Sequence, residues 1–434
     1  MSSLPDLSVI IPAHEEGPNL RILLPQLRTI LDGLGIQTEV LVVVRDEDPE
    51  TQAAVGDSPG TVVRQGEPGY GGALRTGFSL ARARYVMTMD ADLSHPPQFV
   101  ADLWARRDEA EVLIASRYVA GGSARMPIVR AVLSRVLNRF FALGLGVPLR
   151  DVSSGFRLYR ASALAVHEAA GRDFDVLPEI VVRAYTNGWR VREVPFRYEP
   201  RAHGSSNARI VPFGLAYLRT FRALWAMRNS VQSADYEDRA FDSVIPLQRY
   251  WQRRRYRHVT RLLGGCGRTL DVGCGSSRIL GALPPMSVGV DISIAKLRHA
   301  RLSERHLVRA SATRLPFPDR AFGCVLASQL IELVRREDAV LDEMSRVLAP
   351  GGRLILATSD YGRWRWRLLG ALYERIVPGA RGSPHRARYS RRELVEALCQ
   401  RGLRLDSART VLGAEVVLAF GKPLAERRFQ SGGD

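Results

Sequence analysis

The apolar run Tyr85-Val86-Met87-Thr88-Met89 ends in Asp90-Ala91-Asp92. Side chains two residues apart on a strand share a face, so both carboxylates point the same way. Like charges that close repel, and a buried charge needs a partner. A divalent cation would relieve the repulsion and tie the pair to a diphosphate in the crevice at the carboxyl end of a parallel strand. Taken alone, the same two residues also suit a turn or a helix cap. Farther on, Thr269-Leu270-Asp271-Val272 runs into Gly273-Cys274-Gly275-Ser276-Ser277, a strand closed by a glycine turn. Glycines let a backbone approach a ligand where a Cβ would collide. Asp291 ends the next strand, where an acid can hold a ribose diol. The full GxGxxG spacing of dinucleotide binders is absent, which argues against a nicotinamide cofactor.

The elements that must position these residues are legible as periodicity. β-rich runs at 7–11, 39–44, 61–64, 85–89 and 112–116 alternate with helical patterns near 18–34, 71–83 and 97–108. That alternation predicts a parallel α/β sheet. A second alternation starts at Thr269, with strands at 269–272, 287–291, 306–309, 322–327, 353–358 and 415–421. The polar, weakly periodic stretch 229–248 predicts a boundary. The expected organisation is a first domain over 1–230, a linker over 231–248, a second domain over 249–421 and a tail over 422–434.

With 46% apolar and 25% charged residues, both halves can build ordinary cores. The net charge of +17 is uneven: residues 236–434 hold +15 of it and residues 1–235 only +2. The second half should therefore favour anionic surfaces, such as lipid headgroups, phosphorylated substrates or nucleic acid. The stretches 249–261 and 363–392 mix arginines with Tyr250, Trp251, Tyr256, Trp364 and Trp366. They read as a solvated charged face or as a membrane interface with aromatic anchors. No nucleic-acid-binding motif accompanies the charge, so a nucleic-acid partner is disfavoured. The amphipathic stretch 127–145, with Arg130, Arg135 and Arg139 among apolar residues, reads as a surface helix over the sheet or as a helix lying on a membrane. There is no signal peptide and no run of about 18 apolar residues, which predicts a cytoplasmic protein attached peripherally to a membrane. Cys266, Cys274, Cys324 and Cys399 form no CxxC pair and fit a reducing compartment better than a disulfide frame or a zinc site.

Six segments occur in one order: SVIIPAHEEGPNL (8–20), GYGGALRTGF (69–78), MDADLSHPP (89–97), SRYVAGG (116–122), SSGFRLYR (153–160) and EVPFRYEPRAHGSSN (193–207). Together they resemble the family-2 glycosyltransferases of GT-A fold, and within them the dolichyl- and polyprenyl-phosphate sugar synthases. The resemblance covers about residues 6–230. It implies inverting transfer of a hexose from a nucleotide sugar, of the GDP-mannose or UDP-glucose type, to a lipid phosphate. It implies a nucleoside site at Pro12 and Glu16 and a base contact at Asp46. It also implies Mg²⁺ or Mn²⁺ with the diphosphate at Asp90 and Asp92. Arg117, Arg157 and Arg201 match positions expected near the phosphates, and Glu179 matches an acidic position. The sequence departs from the pattern at Arg45, where a second aspartate is usual, and at Asn207, where a lysine is usual. Ser94 stands where related sequences often have a glutamine that helps hold the metal.

The second alternation, with LPFPDRAFGCV (315–325) and EMSRVLAPGGRLILAT (343–358), resembles the class I S-adenosylmethionine methyltransferases, which are Rossmann-like. The resemblance covers about 246–421. It implies a cofactor turn at Asp271, Gly273 and Gly275, a ribose-binding acid at Asp291, and adenine contacts at Ser311 and Ala312. His385, with Tyr389 nearby, is the best candidate base; a histidine among arginines is otherwise solvated surface. The expected protein is a bifunctional α/β enzyme that glycosylates a polyprenyl phosphate and methylates the glycolipid or a related intermediate. The alternatives are a soluble acceptor, or a degenerate second half that only docks the transferase on membranes.

Overall fold

The computed structural model describes residues 4–45, 47–56, 60–164, 169–200, 210–334, 338–377 and 388–424. The chain divides into two compact units, Met1–Arg228 and Asn229–Asp434.

In the first unit the strands are β1 (Leu7–Ala13), β2 (Thr38–Val44), β3 (Thr61–Arg64), β4 (Tyr85–Thr88), β5 (Val112–Ser116), β6 (Ser123–Ala124), β7 (Arg157–Arg160), β8 (Val191–Pro195) and β9 (Arg197–Tyr198). Among the described residues, seven of them form one sheet in the order β3-β2-β1-β4-β7-β5-β8, and β6 pairs with β9. Strands β1 to β4 run parallel. Strand β7 runs antiparallel between β4 and β5, so the sheet is mixed rather than all parallel as expected. Its four residues, Arg-Leu-Tyr-Arg, carry a charge at each end and lack the apolar pattern that marks the others. The helices are α1 (Gly17–Gly33), α2 (Pro49–Gly56), α3 (Gly69–Leu80), α4 (Phe99–Ala105), α5 (Ile128–Leu145), α6 (Val176–Thr186) and α7 (Ile210–Arg228). Successive strand residues go to opposite faces, so Val9 and Ile11 join one core layer and Ile10 the other. Both faces are covered, which is why the strands read as continuous apolar runs rather than alternating ones. Helix α1 buries Leu20, Leu23, Leu24, Leu27 and Leu31, one stripe at helical spacing.

In the second unit the strands are β10 (Thr269–Val272), β11 (Val288–Asp291), β12 (His306–Arg309), β13 (Phe322–Ser328), β14 (Leu348–Ser359), β15 (Arg404–Val411) and β16 (Glu415–Gly421). Their order is β12-β11-β10-β13-β14-β16-β15. The first five run parallel and β16 and β15 antiparallel. Sequence periodicity missed β15, whose charged residues Arg404, Asp406 and Arg409 lie exposed at the sheet edge. The helices are α8 (Tyr236–Phe241), α9 (Pro246–Leu262), α10 (Arg278–Ala282), α11 (Ile294–Ala300), α12 (Ala339–Val347), α13 (Trp364–Ile376) and α14 (Arg391–Gln400).

Two expectations are corrected here. The stretch 231–248 is no bare linker, because it holds α8 and the start of α9 and belongs to the second unit. The cysteines do not all stand free: Cys266 and Cys324 form a disulfide, while Cys274 and Cys399 are free. Cys324 lies on β13 opposite Thr269 of β10, three residues past Cys266. The parallel pairing thus joins two cysteines that are 58 residues apart in sequence.

Candidate active sites

The carboxyl ends of β1, β2 and β4 gather the first set of chemical residues at one edge of the sheet. Pro12 lies near the end of β1, and Glu16 opens α1, taking an amide hydrogen bond from Asn19 at 2.5 Å. Asp48, which sequence reasoning passed over, holds this loop in place: its carboxylate accepts from the Glu15 backbone N–H at 2.6 Å and from that of Thr51 at 3.1 Å. Glu15 needs that support because its φ of 58° is unusual for a residue with a side chain. Asp46 and Arg201 lie outside the described residues, as does His385.

Just beyond β4, Asp90 is 28% exposed at its side chain and Asp92 is buried. The Tyr70 hydroxyl donates to Asp90 Oδ1 at 3.0 Å. Tyr70 in turn stacks on Phe174, with ring centroids 4.6 Å apart. The segment 169–172 presses on α3: a Cβ on Gly71 would meet the Gly171 carbonyl at 2.1 Å. Glu179 fixes that segment by accepting the N–H groups of Ala170 and Gly171 and pairing with Arg183. Gly155 leaves room for the site, since a Cβ there would come within 2.7 Å of the Tyr70 hydroxyl and 3.2 Å of Asp90 Oδ1. His95 was not singled out from the sequence. Its Nδ1 accepts the Asp90 N–H at 2.9 Å, and its ring stacks on Phe156. Burial lowers its pKa against the pull of Asp90 and Asp92, so it is a neutral wall of the site.

Ser94 is fully buried and gives both its N–H (3.1 Å) and its hydroxyl (2.5 Å) to Asp92 Oδ1. Both of these donors are thus spent on steadying Asp92. Among the described residues, no three His, Cys, Asp or Glu side chains converge on one point. A cation at Asp90 and Asp92 would take its remaining ligands from diphosphate oxygens and water, which suits hard Mg²⁺ or Mn²⁺.

The two arginines expected near the phosphates turn inward. Arg117 grips the buried Asp151 with Nε and Nη2, both at 2.7 Å. Arg157 is fully buried on β7 and donates to the carbonyls of Leu177 (2.7 Å) and Val152 (2.6 Å). Both hold the 150–155 loop in place. The sequence showed their type but not their partners.

In the second unit, a cavity of about 880 Å³ opens at the carboxyl ends of β10, β11 and β13. Gly273 and Gly275 line it with φ of 70° and 54°, the left-handed region that favours glycine. Asp291 takes the Gly275 N–H at 2.9 Å and the Ser293 N–H at 2.8 Å, which sets its carboxylate in the cavity wall. Ser311 and Ala312 line the same cavity. Glu237 of α8 was overlooked as linker. It accepts the Ser276 hydroxyl at 2.5 Å and pairs with Lys296 directly over the glycine turn. Tyr389 sits in the core and donates to Asp338, away from the cavity lining.

Asp271 is buried behind this turn. Burial first, then the charge of Asp291, pushes its carboxyl pKa up to about 7. A raised carboxyl pKa adds stability in full below the unfolded value near 3.8, and that stability is gone above about pH 7. Asp271→Asn should therefore match the wild type at pH 4 and stabilise the second unit at pH 8, by on the order of 4 kcal/mol. Calorimetric unfolding of both proteins across that range is the check.

The first unit has the GT-A architecture and the second is a Rossmann-like methyltransferase domain. Residues 8–167 match the glycosyl transferase family 2, and residues 270–356 match the methyltransferase domain family. The polyprenol monophosphomannose synthase of Mycolicibacterium smegmatis is 32% identical over 216 residues, which cover 46% of this chain and 79% of that protein. The dolichol-phosphate mannosyltransferase of Pyrococcus furiosus is also 32% identical, over 46% of this chain; the match spans only 58% of that relative's length. Among solved structures, glucosyl-3-phosphoglycerate synthase of Mycobacterium tuberculosis aligns with 51% of this chain and 78% of its own (17% identity, TM-score 0.42). A possible histamine N-methyltransferase of Thermotoga maritima aligns with 43% of this chain and 98% of its own (20% identity, TM-score 0.34). The chain belongs to glycosyl transferase family 2, and it carries a methyltransferase domain after the transferase.

Proposed function

We propose that the first unit moves a hexose from a nucleotide sugar to a polyprenyl phosphate, and that the second methylates the resulting glycolipid or a related intermediate. The observation that carries the first part is the Asp90/Asp92 pair, braced by Tyr70 and Ser94, within a domain related to polyprenol and dolichol phosphate mannosyltransferases. A phosphate monoester has a second pKa of about 6, so the acceptor is ionised at pH 7 and needs no general base. His95 is accordingly walled in rather than poised for proton transfer. A divalent cation, when bound, neutralises the leaving diphosphate. The chain's part is to hold that cation through Asp90 and Asp92, to orient Asp90 through Tyr70, and to leave space at Gly155. In the second unit the glycine turn and Asp291 suit S-adenosylmethionine as methyl donor.

A lipid acceptor calls for a membrane surface, and among the described residues no helix is long and apolar enough to cross one. Helix α5 buries only Asn138, Phe141 and Leu145. Its outer side exposes Ile128, Val129, Val132, Leu133, Val136 and Leu143, flanked by Arg130, Arg135 and Arg139. Helix α13 exposes Trp364, Leu368, Leu372 and Ile376, a stripe at a spacing of four. Both patterns support a peripheral, interface-lying helix among arginines. Incubation with radiolabelled GDP-mannose or UDP-glucose, polyprenyl phosphate and Mn²⁺ should move label into the organic phase. Val132→Asp with Val136→Asp should lower that transfer, and flotation with anionic vesicles, at least about fivefold. Label that stays aqueous with every nucleotide sugar would refute the lipid acceptor.

A further inference from the structure

The cavity in the second unit is also lined by an acid, Glu332, that lies apart from the glycine turn and Asp291 in sequence. Glu332 follows β13, one strand from the glycine turn after β10, at the same sheet edge. It is 2% exposed and lines the cavity. Oε2 accepts the Thr358 hydroxyl at 2.8 Å, while Oε1 is buried without a hydrogen-bond partner among the described residues. Strand β16 runs antiparallel to β14, so its first residue, Glu415, arrives at the same edge opposite Ser359. Glu415 is already satisfied: Arg255 grips it with Nε at 2.6 Å and Nη2 at 2.8 Å, and Trp251 Nε1 donates to it. The two charges cancel, which leaves Glu332 as the acid on this wall with no ion pair among the described residues. Gln329, three residues earlier, lines the cavity with its Nε2 also buried and without a hydrogen-bond partner among the described residues. Two unspent polar groups beside an aromatic wall of Trp366 and Tyr373 make a built receptor for something absent.

We infer that Glu332 is the catalytic base of the methyl transfer and that it receives a hydroxyl carried on a ring. The inference rests on the methyltransferase reading of this unit. The hydroxyl oxygen forms its bond to the methyl carbon of the sulfonium donor. The carbon–sulfur bond breaks and leaves its electron pair on sulfur, now a neutral thioether. The hydroxyl proton passes to Oε1. A carboxylate and a sulfonium are consumed and two neutral groups remain, so a poorly solvated site favours the step. The charged and titratable groups that act on Glu332 are Glu415 on β16, Arg255 on α9 and the phenol of Tyr361; from α13, Tyr373 and Glu374 line the same cavity. Burial pushes the Glu332 carboxyl up to about 7, so a base here turns on near neutrality.

The test uses the full chain, tritiated S-adenosylmethionine and two probes with a ring hydroxyl. Methyl mannopyranoside represents a glycolipid source and 4-methylphenol an aromatic one. Wild type, Glu332→Gln and Thr358→Val should bind S-adenosylhomocysteine within twofold of one another by calorimetry. A wild type that binds none removes the methyltransferase reading and this inference with it. Given binding, one probe takes label from the wild type. Glu332→Gln lowers that transfer at least about 100-fold and Thr358→Val about fivefold. The wild-type rate climbs with pH through about 7, and the residual Glu332→Gln rate is flat. Equal transfer by Glu332→Gln, a wild-type rate indifferent to pH, or transfer to neither probe overturns the assignment and leaves the cofactor site standing.

Discussion

Asp92→Ala cuts sugar transfer by about 10³-fold and leaves S-adenosylhomocysteine binding by the second unit unchanged. Asp92 is 2% exposed, against 28% for the Asp90 side chain, so its charge is the harder one to keep without a cation or a donor. Ser94 supplies two donors to one of its oxygens. Deleting the carboxylate removes the proposed cation ligand and also strands those donors, at about 1–3 kcal/mol of stability. Asp92→Asn separates the two effects. It keeps an oxygen for Ser94 and loses the charge, so activity should fall nearly as far while the melting temperature moves less. Transfer from labelled nucleotide sugar, read beside calorimetric unfolding of each variant, is the measurement. Full transfer by Asp92→Asn, or by the wild type with all divalent metal chelated, would remove the metal role.

Arg117→Ala destabilises the first unit by about 3–5 kcal/mol, the cost of breaking a buried ion pair from one side. Asp151 is fully buried and accepts from the Arg117 side chain twice and from its backbone N–H once. The same guanidinium reaches Ser153, which also takes a hydrogen bond from Asn138. Without Arg117 an uncompensated carboxylate stays inside the loop that leads to Gly155 and so to Asp90. A phosphate ligand predicts the opposite signature, in which the KM for nucleotide sugar rises and the melting temperature holds. Arg117→Lys tells them apart further, since a single ammonium cannot reproduce the two-pronged grip. Its melting temperature should fall well below that of the wild type. A variant that melts like the wild type would return Arg117 to the diphosphate.

Local pattern carried much of this protein. The Val- and Ile-rich runs of β1, β2 and β5 were legible because strands buried on both faces have no polar alternative. Acids at strand ends were legible because sequence order places them at the ligand edge of a parallel sheet. Strands β7 and β15 were not, since their apolar content is low and only their neighbours select them. The 231–248 stretch looked like linker because α8 is polar, yet Glu237 reaches Ser276, 39 residues on.

By itself, then, the sequence determined two α/β units, the Asp90/Asp92 pair and the glycine turn at Gly273 and Gly275. Each depends on residues close together along the chain. Partnership was decided only by the tertiary structure. Arg117 met Asp151 across 34 residues, Cys266 met Cys324 across 58, and Arg255 met Glu415 across 160. A charge has no preferred sequence distance, and whether it is spent inside or offered to a ligand depends on which strands the topology makes neighbours. That is why Arg117 and Arg157, which look like phosphate ligands in the sequence, became struts. It is also why Glu332, unremarked in the sequence, lines the cavity with one buried carboxylate oxygen that has no hydrogen-bond partner among the described residues.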